Sequence, residues 1–358
     1  MERIGHYYTV YYAALKTGFS NDASSKIAFH TQLADQVDVL DAFKLFFKYL
    51  VTSNSAKDPI VKWSYLIYCG VHGMTGGFSA NEISITEHLF KKMVLSGESP
   101  KIKLIGIGFL LHRLGDCYAH TKKEFKTISP DAVLTKFPLG HSPFPGSEQD
   151  FINFRPEIYK LYIQHLFKLL SFLRFKKFPK NVDEKSEEFS QILLQELRVN
   201  DLIFPVENKE IQYTGMMIFK QRIWFEKKLN SLTNNKISSY NPFDETLSFS
   251  EFIKRNSKRK LIQREDLTIY LKLAVNLFID VYIESLKRGF LKVEFENLKS
   301  NRINLDQYLL SCANYKGNIL VLCINQVTDQ FFLNVRNSLM REYELVISNV
   351  IRIYEKIN

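Results

Sequence analysis

The segment from Lys101 to about Lys123, IKLIGIGFLLHRLGDCYAHTKK, constrains this chain more than any other. It is apolar nearly all round, and its three glycines each weaken helix propensity by roughly 1 kcal/mol relative to alanine. Such a helix forms only when other elements surround it. It therefore predicts a helix packed tightly against its neighbours.

Three polar residues interrupt that apolar surface. His112, Asp116 and His120 stand at i, i+4 and i+8. At 3.6 residues per turn they project from one face, a turn apart. Imidazole and carboxylate are nitrogen and oxygen donors for zinc, and a carboxylate between two histidines can bridge two metals. Burying them unpaired costs several kcal/mol, a cost that either a metal ion or a hydrogen-bonded His–Asp–His network removes.

The other histidines share the same half of the chain. All eight (6, 30, 72, 88, 112, 120, 141 and 165) precede residue 166 of 358. Random scatter gives this with a chance on the order of 0.2% for a neutral composition. His72 ends the apolar stretch YLIYCGVH before the GMTGGFS loop, His141 follows Gly140 in a proline-rich stretch with Asp150 nine residues on, and His6 opens the first helix. His30, beside the candidate Asp35, suits a supporting position behind the ligands. His88 and His165 read as ordinary helix-surface histidines, and Cys117 as packing.

The pattern along the chain is helical throughout. Apolar residues from about Ile4 to Thr17 stop at Gly18, and Ser20 is placed to cap a second helix. Ser79 with Glu82, and Ser84 with Glu87, have capping-box spacing for a helix reaching Gly97. Residues 129–156 hold five of the ten prolines and read as an ordered loop; 157–173 return to an apolar helix. The basic run RFKKFPK (174–180) marks a change of character. Amphipathic stretches follow at 184–198, 209–230, 265–288 and 328–356, with a second basic cluster, KRNSKRK (254–260), expected as a solvated loop. NILVLCI (318–324) fits a strand or a buried helix equally. The expectation is an all-α protein with a metal-binding helical domain at 1–173 and a C-terminal helical region at 174–358.

The order His6, Asp35, His72, His112, Asp116, His120, His141, Asp150, and above all LHRLGDCYAHT, resembles the zinc-dependent phospholipase C / P1 nuclease superfamily over roughly residues 1–160. The resemblance implies an all-helical fold with two or three zinc ions. His72, His112 and Asp116 would hold one ion, and Asp116 would bridge to a second held with His6. His120, His141 and Asp150 would hold the third. Asp35, or in its place Asp38, would be the carboxylate beside the attacking water. The chain departs from that pattern in three ways. It begins Met1-Glu2 rather than with the ligating tryptophan, His120 follows Asp116 more closely than in the secreted phospholipases, and Asp150 lies nine residues beyond His141 instead of one turn. These departures leave the two-metal core as the firmer expectation.

The resemblance implies a metal-dependent phosphoester hydrolase. A charge of 48 − 38 = +10 suits an anionic substrate or partner, phospholipid or nucleic acid. The Phe-rich loop 137–151 would favour a lipid and Lys122, Lys123 and Lys126 a nucleic acid, so both classes stay open. A non-catalytic, metal-stabilised binding or effector protein is the competing reading, with the C-terminal half free to engage a protein partner. No signal peptide and no run of about 18 apolar residues is visible, so the expected location is the cytoplasm, or export by a signal-independent route, with a membrane-surface role open. Four cysteines without a CxxC pair exclude a disulfide framework.

Overall fold

The structure, a computed structural model, describes residues 3–36, 67–122, 124–135, 152, 155–203, 214–234, 242–243, 249–262 and 266–288. His141, Asp150, Asp38, the Phe-rich loop, NILVLCI and the amphipathic stretch at 328–356 lie outside them. The described residues are helical, with two isolated bridges (Phe78 to Val133, Thr121 to Leu134) as their only β pairing. The all-α expectation holds for this part of the chain.

A π-helical segment, Ile4–Thr9, runs directly into α1 (Val10–Lys16). Gly18, at φ +89°, ends it where the sequence expects, and any Cβ there would collide with the Arg174 guanidinium. Helix α2 (Asn21–Gln32) starts on the Ser20 hydroxyl, which accepts from Ala23 N at 3.2 Å, and closes with a 3₁₀ turn, Leu33–Asp35. Helix α3 (Ser79–Leu95) and helix α4 (Pro100–Ala119) follow, then α5 (Pro156–Phe175), α6 (Val182–Val199), α7 (Thr214–Leu232), α8 (Phe249–Ser257) and α9 (Asp266–Lys287).

Helix α4 is the central element, and it is packed as tightly against its neighbours as its glycines predict. Every residue from Ile105 to Ala119 is buried, and α2, α3, α5 and α9 pack around it. Its glycines make this possible. A Cβ on Gly108 would sit 2.6 Å from the backbone carbon of His30, so α2 and α4 touch backbone to backbone there. Ser99 and Pro100 open the helix as cap and first-turn residue, a start signal present in the sequence. The helix ends a few residues sooner than its apolar pattern suggests. His120 is the C-terminal cap, and Arg155 then takes the carbonyls of Ala119 (3.1 Å) and Thr121 (2.5 Å), turning the chain away.

Three local expectations are corrected. Neither Ser79 nor Ser84 forms a capping box: Phe78 occupies the cap position of α3, and Glu82 and Glu87 are drawn to other partners. Part of KRNSKRK is helical, since Lys254 and Arg255 close the last turn of α8, where cations favour the exposed carbonyls. His165 is more than a surface residue, standing between the Tyr118 hydroxyl and Glu87 at 3.1 Å from each. One hydrophobic cluster joins Leu111, Leu114 and Tyr162 to Phe189, Leu197, Trp224, Tyr270 and Phe278, from both sides of residue 173. None of the described helices is long and apolar enough to cross a membrane.

Candidate metal centre

Helix α4 supplies His112 and Asp116, one turn apart, and the structure brings three further predicted residues to them. His6 comes from the π-helical segment, Asp35 from the 3₁₀ turn after α2, and His72 from the loop after the helical residues 67–70. His72 Nδ1 is 2.8 Å from Asp116 Oδ2 and 3.0 Å from His112 Nε2. His112 Nε2 lies 3.2 Å from Asp116 Oδ2 and 3.5 Å from Asp35 Oδ1, and His72 Nδ1 lies 3.9 Å from Asp35 Oδ1. On the other edge of the carboxylate, Asp116 Oδ1 meets His6 Nε2 at 2.9 Å.

These separations suit a metal. Zinc–nitrogen and zinc–oxygen bonds of about 2.0–2.2 Å put neighbouring tetrahedral ligand atoms about 3.3–3.6 Å apart. The distances among His72, His112, Asp116 and Asp35, from 2.8 to 3.9 Å, straddle that value. Two groups of three can each hold an ion, His6 with His112 and Asp116, and Asp35 with His72 and His112.

Proton counting sharpens the point. His112 Nδ1 is 2.9 Å from the Thr31 carbonyl, which only accepts, so Nδ1 carries the proton. In its neutral form His112 therefore presents a lone pair at Nε2 to His72 Nδ1 and two carboxylate oxygens. One proton on His72 Nδ1 can serve two of these contacts, whereas a cation serves all four atoms together. His6 adds a further unmet need: its Nδ1 is buried with no hydrogen-bond partner among the described residues.

Charge leads the same way. Burial pushes the Asp35 carboxyl up, but His112, His6 and His72 outweigh it and hold it below the usual range. Asp116 behaves likewise, with His112, His6 and His120 among the positive charges that overcome its burial. Both carboxylates are thus ionised, and a divalent cation can supply the balancing positive charge once the histidines are deprotonated. For His112, burial lowers the proton affinity, yet Asp35 and Asp116 together carry it above the ordinary value, so without a cation a proton on Nε2 takes the place between the carboxylates that a metal would fill. His6 goes the other way, to about 3, chiefly through burial and then through His112.

The backbone geometry that holds these groups rests on small residues. Gly115 lets the His6 ring lie against α4, since a Cβ there would come within 2.9 Å of His6 Cε1. The His6 and His112 rings then stack at 3.9 Å. Gly73, at φ +64°, turns the chain immediately after His72 and passes so near Cys117 that a Cβ would lie 2.7 Å from its Sγ.

Behind His72 stands a contact that sequence reading missed. Arg113 is wholly buried, and it pairs with Glu82 at 2.5 Å and donates to the Gly70 carbonyl at 2.7 Å, to Cys69 O and to Thr86 Oγ1. Glu82 in turn accepts from Thr75 Oγ1 at 2.8 Å. The loop carrying His72 is thereby fastened on both sides. The available signal was an arginine inside an otherwise apolar helix, which demands an acidic partner.

His120 is buried next to these groups but belongs to neither three-residue set. Its Nδ1 is 3.2 Å from the His72 carbonyl, so within the described residues it braces the His72 loop. His30, expected as a supporting residue, is buried with its Nδ1 on the Tyr270 hydroxyl and lies directly before Thr31.

No protein-family model, no curated protein and no solved structure matches this chain.

Proposed function

We propose that this chain is a zinc-dependent phosphoester hydrolase built around Asp116, of the phospholipase C / P1 nuclease type that LHRLGDCYAHT resembles. The observation that carries the reading is the His112 ring: its Nδ1 proton is held by Thr31 O, and its Nε2 faces His72 Nδ1 and the oxygens of Asp116 and Asp35. His72, His112, Asp116 and Asp35 would hold one ion, and Asp116 with His6 a second. A divalent ion supplies Lewis-acid chemistry, polarising a phosphoryl oxygen and acidifying water toward a pKa of about 7. The chain's own residues do the rest. The Thr31 carbonyl fixes the His112 tautomer, the two oxygens of Asp116 face different histidines, and Asp35 forms the open edge of the site. Its side chain is 24% exposed, while those of His6, His72 and His112 are fully buried, so substrate approach and proton removal belong at Asp35.

The same burial favours a second reading, a closed structural metal with no catalysis. The two are separated by one series. Protein purified without chelator is analysed for metal, and wild type and Asp116→Asn are compared on phospholipid, single-stranded DNA and a generic phosphodiester. One or more ions per chain with Asp116-dependent turnover supports the hydrolase. Full metal content without turnover supports the structural ion, and less than one ion per chain overturns both.

A further inference from the structure

The basic run RFKKFPK takes no part in the centre, yet it has a definite shape. Helix α5 ends at Phe175, and Lys176 follows in the left-handed region at φ 57°, a conformation that lysine adopts at a cost and glycine freely. The resulting turn lies at the surface. Arg174, Phe175, Lys176, Lys177, Phe178 and Lys180 are all exposed, with Phe175 at 49% and Phe178 at 39%. Four cations therefore surround two phenyl rings, with no carboxylate from 174 to 180.

Three neighbouring helix ends extend this surface. Arg174 donates to the Thr17 carbonyl at the end of α1, next to the exposed Lys16. Lys91 of α3 lies over the Phe178 ring at 4.7 Å, and Leu95, one turn further on, is 61% exposed. Lys176 loses proton affinity first through partial burial and then through Lys103, at the start of α4. Among the described residues, no carboxylate forms an ion pair with Lys16, Lys103, Lys176, Lys177 or Lys180. Lys91, by contrast, is paired with Glu87 at 2.5 Å. Uncompensated like charges and exposed rings on one end of a helical bundle call for a partner that is both anionic and apolar.

We infer that the turn at 174–180, with the adjoining ends of α1, α3 and α4, is a docking surface for an anionic phospholipid membrane. Cations attract the anionic headgroups while the phenyl rings enter the boundary with the acyl chains. A single-stranded nucleic acid asks for a basic groove lined with stacking rings, whereas the hollow beside Phe178 is lined by the carboxylates Glu87 and Asp183. The inference does not depend on the metal reading, since none of these residues touches the centre.

The test uses the full chain in vesicle co-sedimentation, with phosphatidylcholine alone and with phosphatidylcholine–phosphatidylserine mixtures, alongside a single-stranded oligonucleotide. Binding is expected only to the serine-containing vesicles, weakening as salt rises. Lys177→Glu/Lys180→Glu is expected to weaken it about tenfold or more. Phe175→Ser is expected to weaken it at unchanged salt dependence, and the fluorescence of Phe175→Trp to shift to the blue on those vesicles. Circular dichroism of these exposed-site variants should match wild type. Equal binding to both vesicle types, no binding to either, or no effect of Lys177→Glu/Lys180→Glu would overturn the inference. So would oligonucleotide binding that the same variants abolish while vesicles are ignored.

Discussion

The carbonyl of Thr31 accepts the Nδ1 proton of His112 at 2.9 Å across 81 residues of sequence. Thr31 lies in the last turn of α2, where helix carbonyls have no partner within the helix. That free acceptor selects the His112 tautomer and aims its Nε2 lone pair at the carboxylates, the arrangement by which metal-binding histidines are commonly oriented.

The tautomer is directly measurable. Nitrogen-15 spectra of the chelator-treated protein should show His112 protonated at Nδ1, and stoichiometric zinc should move its Nε2 resonance strongly while leaving Nδ1 protonated. An Nε2 resonance unaffected by zinc would remove the basis of the centre.

Removing one member of the Arg113–Glu82 pair leaves a buried charge alone. Glu82→Ala is expected to destabilise the chain by about 3–5 kcal/mol in denaturant unfolding. Glu82→Gln keeps hydrogen bonds to Arg113 and Thr75 and should fold, with weakened zinc affinity because the His72 loop loses its charged anchor. Wild-type zinc affinity in folded Glu82→Gln would show that the clamp does not position His72.

Two glycines should respond differently to alanine. Gly108→Ala forces backbone against backbone at His30 and is expected to cost at least about 1–3 kcal/mol of stability. Gly115→Ala presses on a side-chain ring, His6, which can swing away. Its main effect should be on metal stoichiometry, with the loss of up to one ion per chain and a smaller loss of stability. Equal effects on stability and metal content in both variants would contradict this division.

His30 gives the chain an acid limit. Burial, with Lys101 and then Lys26, lowers its pKa to about 3. The unfolded chain takes up a proton there near 6.5. Between about pH 6.5 and 3 the unfolded state holds more protons on this residue, so stability falls as the pH is lowered through that window. His30→Gln should flatten that part of the pH–stability curve. An unchanged slope would show that other groups set the acid limit.

Much of the fold was legible before any coordinates. An apolar helix carrying glycines had to pack tightly against neighbours, and α4 does; Gly18 and Ser20 placed a stop and a start correctly because both act through their own backbone neighbourhood. The capping boxes misread Glu82 and Glu87 because long-range partners, Arg113 and His165, compete with local ones.

The centre divides along the same line. Spacing alone put His112 and Asp116 on one helical face, since that periodicity is local. Only the tertiary structure decided that His6, Asp35 and His72 meet them, that His120 turns to brace the His72 carbonyl, and that Arg113 and Thr31 hold the ligands in place. Those contacts join residues tens of positions apart. They depend on how closely helices approach at Gly108, Gly115 and Gly73, and no residue reveals that approach until its neighbour is in place.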